Sequence, residues 1–306
     1  MTNLISPYAD LNPQSRQWWK RSQRVLAGGG QAHRRTGKYT LRGAPHFATR
    51  AKGAYFWDVD GRQFLDYLLG YGPILIGHCD PDVNEAVRRQ MEEGTIFSLE
   101  HPTVIEFDEE LCRLIPCAEM VINLIGGSSA TTAAVRCASV HTKREKIVRC
   151  GYPGSALVGK RAILEARADT FIGATFHGDL LSIAAARVVL RIMRERDGIA
   201  HIDRLGKRLM DGLNDVFVAS GYPLRVRGWP AMPELMQTDA PPEFAGKVIT
   251  EWCAAMQRRG VYMTGHCWFI SLAHTVEDIE RTIAAGKEAV QEAFTVLRNG
   301  PELPYL

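Results

Sequence analysis

The sequence has no C-x-x-C pair, and its seven cysteines (Cys79, Cys112, Cys117, Cys137, Cys150, Cys253, Cys267) form an odd set. Neither a disulfide scaffold nor a structural zinc site is expected, and reduced thiols in the cytoplasm are the simpler reading. Net charge is small, +3 from 37 basic and 34 acidic residues mixed along the chain. It gives no bulk electrostatic signal for nucleic acid or an anionic membrane. No uninterrupted apolar run approaches the roughly 20 residues of a membrane-spanning helix. Met1 to Asp10 carry polar residues and proline where a signal peptide would need an apolar core. No period of about 20 to 50 residues recurs, which excludes a solenoid.

What is present suits a globular protein. With 306 residues, 46% hydrophobic and 23% charged, the chain can bury a sizeable core in one large α/β domain or two smaller ones. Ser15 to Val25 has Trp18, Trp19 and Val25 at roughly helical spacing, followed by the breaker Gly28-Gly29-Gly30. Two β-rich runs flank Asp60-Gly61, the signature of a hairpin. Helices are predicted over Pro81 to Glu93, with Asp80 as N-cap and Gly94 past the end, and over Val104 to Leu114. Short strands are predicted at Met120 to Ile125, from Ile147, and at Ala156 to Val158. Helices follow at Asp179 to Arg196 and Ile202 to Ala219. Beyond Gly221 the expected order is strand, helix (Phe244 to Arg259), strand (Val261 to Met263), strand (Trp268 to Leu272) and helix (Val276 to Leu297).

Between the strand at Met120 and an alanine-rich helix from Ala130 to about His141 lies Gly126-Gly127-Ser128-Ser129. Free backbone N–H groups and the positive end of a helix dipole make such a turn an anion site, with two hydroxyls as further donors. The same turn also serves as a plain N-cap elsewhere. It is neither a Walker A loop nor a G-x-G-x-x-G fingerprint, because the lysine and the third glycine are absent. A nucleotide-binding α/β domain is therefore the weakest reading.

The surrounding residues, in order, resemble the class III pyridoxal-phosphate-dependent aminotransferases. Trp57-Asp58-Val59-Asp60-Gly61, Asp66-Tyr67 and Gly77-His78-Cys79-Asp80-Pro81 resemble the family's N-terminal part. Gly127-Ser128-Ser129-Ala130 resembles its cofactor-phosphate turn, with Ser129 in place of the usual acid. Tyr152-Pro153-Gly154, Ala174-Thr175-Phe176 and Phe269-Ile270-Ser271-Leu272-Ala273-His274 resemble its C-terminal part, the last being similar to the glutamate-1-semialdehyde aminomutase branch. The resemblance implies an α/β type I fold, pyridoxal 5'-phosphate as cofactor, a small amino substrate and a homodimer. It places Gly127, Ser128 and Ser129 at the phosphate, Thr175 at the phosphate of a partner subunit, Tyr152 on the cofactor ring and Tyr71 toward the substrate. No metal is implied.

The family's middle is missing. Gly151-Tyr152 serves both the Gly-Tyr-His-Gly motif that precedes the inner strands and the Lys-x-x-x-x-Gly-Tyr-Pro motif that follows them, as an internal deletion joined at a repeated Gly-Tyr would leave it. No residue matches the acid that pairs with the pyridine nitrogen; Asp58, Asp60, Asp80 and Asp169 read as cap or turn residues. Lys146 stands at the Schiff-base spacing before Gly151-Tyr152-Pro153, yet a basic residue there also simply opens a strand. If Tyr152 belongs to the Gly-Tyr-Pro copy, it does not stack on the ring. His78 and His274 read as hydrogen-bonded structural histidines. The expected division is an N-terminal segment (1–52), a truncated large domain with an incomplete sheet (53–220) and an α+β small domain (221–306). Two functions follow: amino-group transfer or migration through a lysine, or a catalytically silent homologue that keeps dimerisation and phosphate binding.

Overall fold

A computed structural model describes residues 13–26, 44–144, 157–165, 179–240, 244, 247–265 and 267–299. Among them the chain forms two compact units, one from residues 1–80 with 192–306 and one from residues 81–191.

In the first unit, helix α1 (Pro13–Val25) precedes strands β1 (Ala48–Lys52), β2 (Tyr55–Asp58) and β3 (Gln63–Asp66). The Asp60-Gly61 turn does make a hairpin, with Phe56 opposite Phe64 and Tyr55 opposite Leu65. Asp58 organises it: its carboxylate accepts from the N–H groups of Asp60 and Arg62 and pairs with the Arg62 guanidinium. Asp60 reaches further, accepting from the N–H groups of Gln14 and Ser15 at 2.8 and 3.1 Å and from the Ser15 hydroxyl. It is thus the cap of α1, supplied from 45 residues away.

The chain returns to this unit through α7 (Gly198–Ser220), the hairpin of β6 (Leu224–Trp229) and β7 (Met232–Gln237), α8 (Val248–Arg258), β8 (Val261–Tyr262) and α9 (Val276–Asn299). β8 pairs in parallel with β3, Leu65 beside Val261, and completes a four-stranded sheet in the order β1-β2-β3-β8. Leu65 and Tyr67 share one core with Leu209, Leu213 and Phe217 of α7, Trp252 of α8, Trp268, and Val290 of α9. The expected boundary at 220/221 therefore runs through a continuous core, and the hairpin placed with the large domain packs here instead.

The segment Trp268 to Leu272, expected as a strand, forms no ladder. Its N–H groups are divided: those of Trp268 and Ile270 go to the Pro233 and Ala231 carbonyls of the β6-β7 hairpin, that of Phe269 to Tyr67 and that of Leu272 to Leu75. Helix α9 begins with a capping box, the Thr275 hydroxyl accepting from the Asp278 N–H and the Asp278 carboxylate accepting from Thr275.

The second unit holds α2 (Pro81–Glu93), α3 (Pro102–Leu114), β4 (Met120–Ile122), α4 (Gly127–Thr142), β5 (Leu157–Gly159), α5 (Arg161–Leu164) and most of α6 (Leu180–Glu195). β4 and β5 pair antiparallel, Val121 opposite Val158. Ala133 and Cys137 of α4 pack with Ile122 and Leu164, while Phe107 and Leu111 of α3 pack with Ile183 of α6. The expected strand from Ile147 lies outside the described residues.

Candidate cofactor-phosphate site

α4 starts three residues earlier than its alanines suggest, so Gly127, Ser128 and Ser129 form its first turn rather than the turn before it. The N-cap is Gly126, in an extended conformation. The first helical bond runs from the Ala130 N–H to the Gly126 carbonyl. The N–H groups of Gly127, Ser128 and Ser129 precede it and are the orphan donors of the helix end. The Thr131 and Thr132 hydroxyls donate back to the Gly127 and Ser128 carbonyls at 2.9 Å, which closes this turn without using those donors.

The space around them is open. A Cβ built on Gly126 meets nothing within 4 Å, Ser128 is exposed, and no acidic residue stands in the first turn. Ser129 in place of an acid removes a charge that would repel an anion. Three N–H donors, two hydroxyls and the positive helix end fit a phosphate dianion.

Behind the turn, the Asn123 amide donates to the Asp108 carboxylate of α3 at 2.7 Å. Burial raises the Asp108 pKa, with the Asn123 hydrogen bond opposing it and Glu100 adding to it. The sequence reading missed this pair, since nothing in the spacing of residues 108 and 123 marks it.

Tyr71 belongs to the other unit, half exposed on the loop between β3 and α2, with a left-handed backbone at φ 68°. Lys146, Tyr152 and Thr175 lie outside the described residues. So the structure brings Gly127, Ser128 and Ser129 together on one helical turn, and Asp58 and Asp60 take turn and cap roles. Among the described residues no group of three or more His, Cys, Asp or Glu side chains could hold a metal ion, and no helix is long and apolar enough to cross a membrane.

His78 and His274 are both hydrogen-bonded. His78 Nε2 lies 2.9 Å from the Asp66 carboxylate. His274 is buried; its Nδ1 accepts from the Ser271 N–H at 3.1 Å, and burial pushes its pKa down to about 4. Tyr55 donates to Asp278, and burial followed by that hydrogen bond raises its pKa to about 12.

Solved structures of similar shape include transaminases and an aminomutase. The PLP internal aldimine form of the FumI protein of Sphingopyxis sp. MTA144 superposes with a TM-score of 0.84 at 22% identity, over 96% of this chain and 99% of that one. An omega-transaminase from Sphaerobacter thermophilus gives 0.77 at 18%, over 96% and 100%. A glutamate-1-semialdehyde aminomutase from Pseudomonas aeruginosa PAO1, in complex with PMP, gives 0.78 at 16%, over 94% and 96%. The fold is therefore the type I fold of PLP-dependent transferases. Within it, the aminotransferase class-III profile matches residues 39–151 and 146–294, and the chain belongs to that family, whose cofactor is pyridoxal phosphate.

Proposed function

We propose that this chain is a shortened class III enzyme of the aminotransferase and aminomutase type, acting on an amino acid or amino aldehyde as a glutamate-1-semialdehyde aminomutase does. The observation that carries the reading is the open first turn of α4, with three N–H donors that meet no acceptor among the described residues and no acid in that turn. These donors with the Ser128 hydroxyl would hold the cofactor phosphate, and Thr175 of a second copy would add to it. When bound, pyridoxal phosphate supplies an electron sink for charge at the carbon beside the substrate amine. Lys146 would hold the cofactor and, once released from it, would move the proton at that carbon, while Tyr152 would lie against the cofactor ring and Tyr71 would meet the substrate.

A homodimer is part of the reading. Met91, Ile96, Phe97, Leu99 and Ile105 of the second unit are exposed apolar side chains of the kind a second copy covers. A cytoplasmic location is part of the reading, and none of the six described cysteines forms a disulfide.

A second reading, a catalytically silent homologue, has its own support. The family profile matches in two segments that overlap at 146–151, as a deletion joined at Gly151 would produce. Between them the second unit keeps one two-stranded sheet among the described residues. A nucleophilic lysine needs a desolvated pocket that lowers its pKa, and inner strands would build it.

Trapping separates the two readings. The chain is incubated with pyridoxal phosphate, reduced with borohydride and mapped by peptide. Label on the peptide holding Lys146, lost in Lys146→Ala, supports the enzyme. Saturable phosphate-dependent binding without any trapped lysine supports the silent homologue. Absence of binding overturns both.

A further inference from the structure

The loop from Tyr67 to Cys79 combines a costly backbone with an unusual number of fastenings. Leu69, Tyr71 and Cys79 all have positive φ, at 47°, 68° and 53°, as do Gly70, Gly72 and Gly77. Side chains rarely accept that conformation. Leu69 is repaid by full burial, whereas Tyr71 is 48% exposed and its hydroxyl bonds to no described residue. Packing therefore does not account for a tyrosine there.

The fastenings converge on two residues. One Asp66 oxygen accepts from the Leu68 and Leu69 N–H groups at 2.9 and 3.1 Å, and the other faces His78 Nε2 at 2.9 Å. His78 in turn is tied by both backbone groups to Gly53, at 2.8 and 2.9 Å. The base of the loop is closed by a charge-assisted hydrogen bond between nearly buried partners. Its glycines are pinned from outside: a Cβ on Gly72 would lie 2.8 Å from the Phe269 ring, and one on Gly77 2.5 Å from Ala273 Cβ.

We propose that Asp66 and His78 are positioning residues, whose clip pre-sets this loop so that Tyr71 is presented to the substrate as a rigid phenol. The substrate half rests on the function proposed above; the clip does not. Holding a recognition side chain in its bound geometry removes an ordering cost that binding would otherwise carry.

Hydrogen exchange on the full chain with pyridoxal phosphate added tests the clip. His78→Ala should speed exchange of peptides covering Leu68 to Gly72 by about tenfold or more, the factor expected from losing one charge-assisted hydrogen bond. Peptides from α7 and α9 should stay unchanged. His78→Gln, whose Nε2 can donate to the same carboxylate, should restore the slow rate. Unchanged loop exchange in His78→Ala, equal acceleration in α7 and α9, or failure of glutamine to rescue would overturn the clip. Nitration by tetranitromethane tests the other half: pyridoxal phosphate with aminooxyacetate should shield Tyr71. Absence of shielding removes Tyr71 from the substrate site and leaves the exchange result to stand alone.

Discussion

The two compact units have similar helices but very different interiors. In the first, α7, α8 and α9 close over Phe217, Trp252 and Trp268, with the Trp252 ring edge-on to Phe217 at 5.3 Å and tilted against Trp268 at 6.0 Å. Among the described residues of the second, the apolar clusters are two small groups, Ile122, Ala133, Cys137 and Leu164 beside the β4-β5 pair and Phe107, Leu111 and Ile183 between α3 and α6. Secondary structure is therefore no guide to where stability resides. Area removed from water is, and among the described residues it lies mainly in the first unit.

The contrast can be broken by experiment. Trp252→Ala should cost about 3–5 kcal/mol, the range for a fully buried aromatic, read as a fall in the urea midpoint. Acid should act on the same unit. Burial, aided by Arg62, pushes the His46 pKa down to about 4, and burial does so for His274 against the pull of Asp278 and Asp66. Both folded values lie below the ordinary 6.5. Between pH 6.5 and about 4 the unfolded chain binds the extra protons, so stability falls as pH falls, by up to about 1.4 kcal/mol per pH unit for each histidine, and neither group contributes a slope above that window. His274→Asn, which keeps an acceptor near the Ser271 N–H, should flatten about half of that slope across midpoints measured from pH 4 to 8.

In the second unit, Phe107→Ala should cost about 2 kcal/mol, below the usual phenylalanine range because a thin cluster collapses around the gap. A loss equal to that of Trp252→Ala would abolish the contrast. The smallest effect expected is from Thr275→Ala, which opens the capping box of α9 for about 1 kcal/mol, seen as faster amide exchange in its first turn.

The same contrast governs what could be read from the sequence. The Asp60-Gly61 hairpin, α2 between Asp80 and Gly94, and the long α9 carry their signals locally, and all three form close to where expected. Trp268 to Leu272 reads as a strand because its residues suit one, but its hydrogen bonds are divided among the β6-β7 hairpin, Tyr67 and Leu75. The β6-β7 hairpin hides behind Pro230 in its turn, and the domain boundary misleads because the β3-β8 pairing joins residues 65 and 261. At the candidate site, the local pattern marks a helix start near Gly127, Ser128 and Ser129, which form the first turn of α4. The Asp108–Asn123 pair and the Asp66–His78 clip were not legible, since each joins residues whose proximity only the folded chain creates.

Asp60 also sets an order of events. A helix of 13 residues is marginal in isolation, and α1 receives its N-terminal acceptor from a turn made by a later part of the chain. The hairpin must therefore exist before α1 can be stable, although α1 leaves the ribosome first. During synthesis α1 waits for its cap, and on unfolding it should let go early.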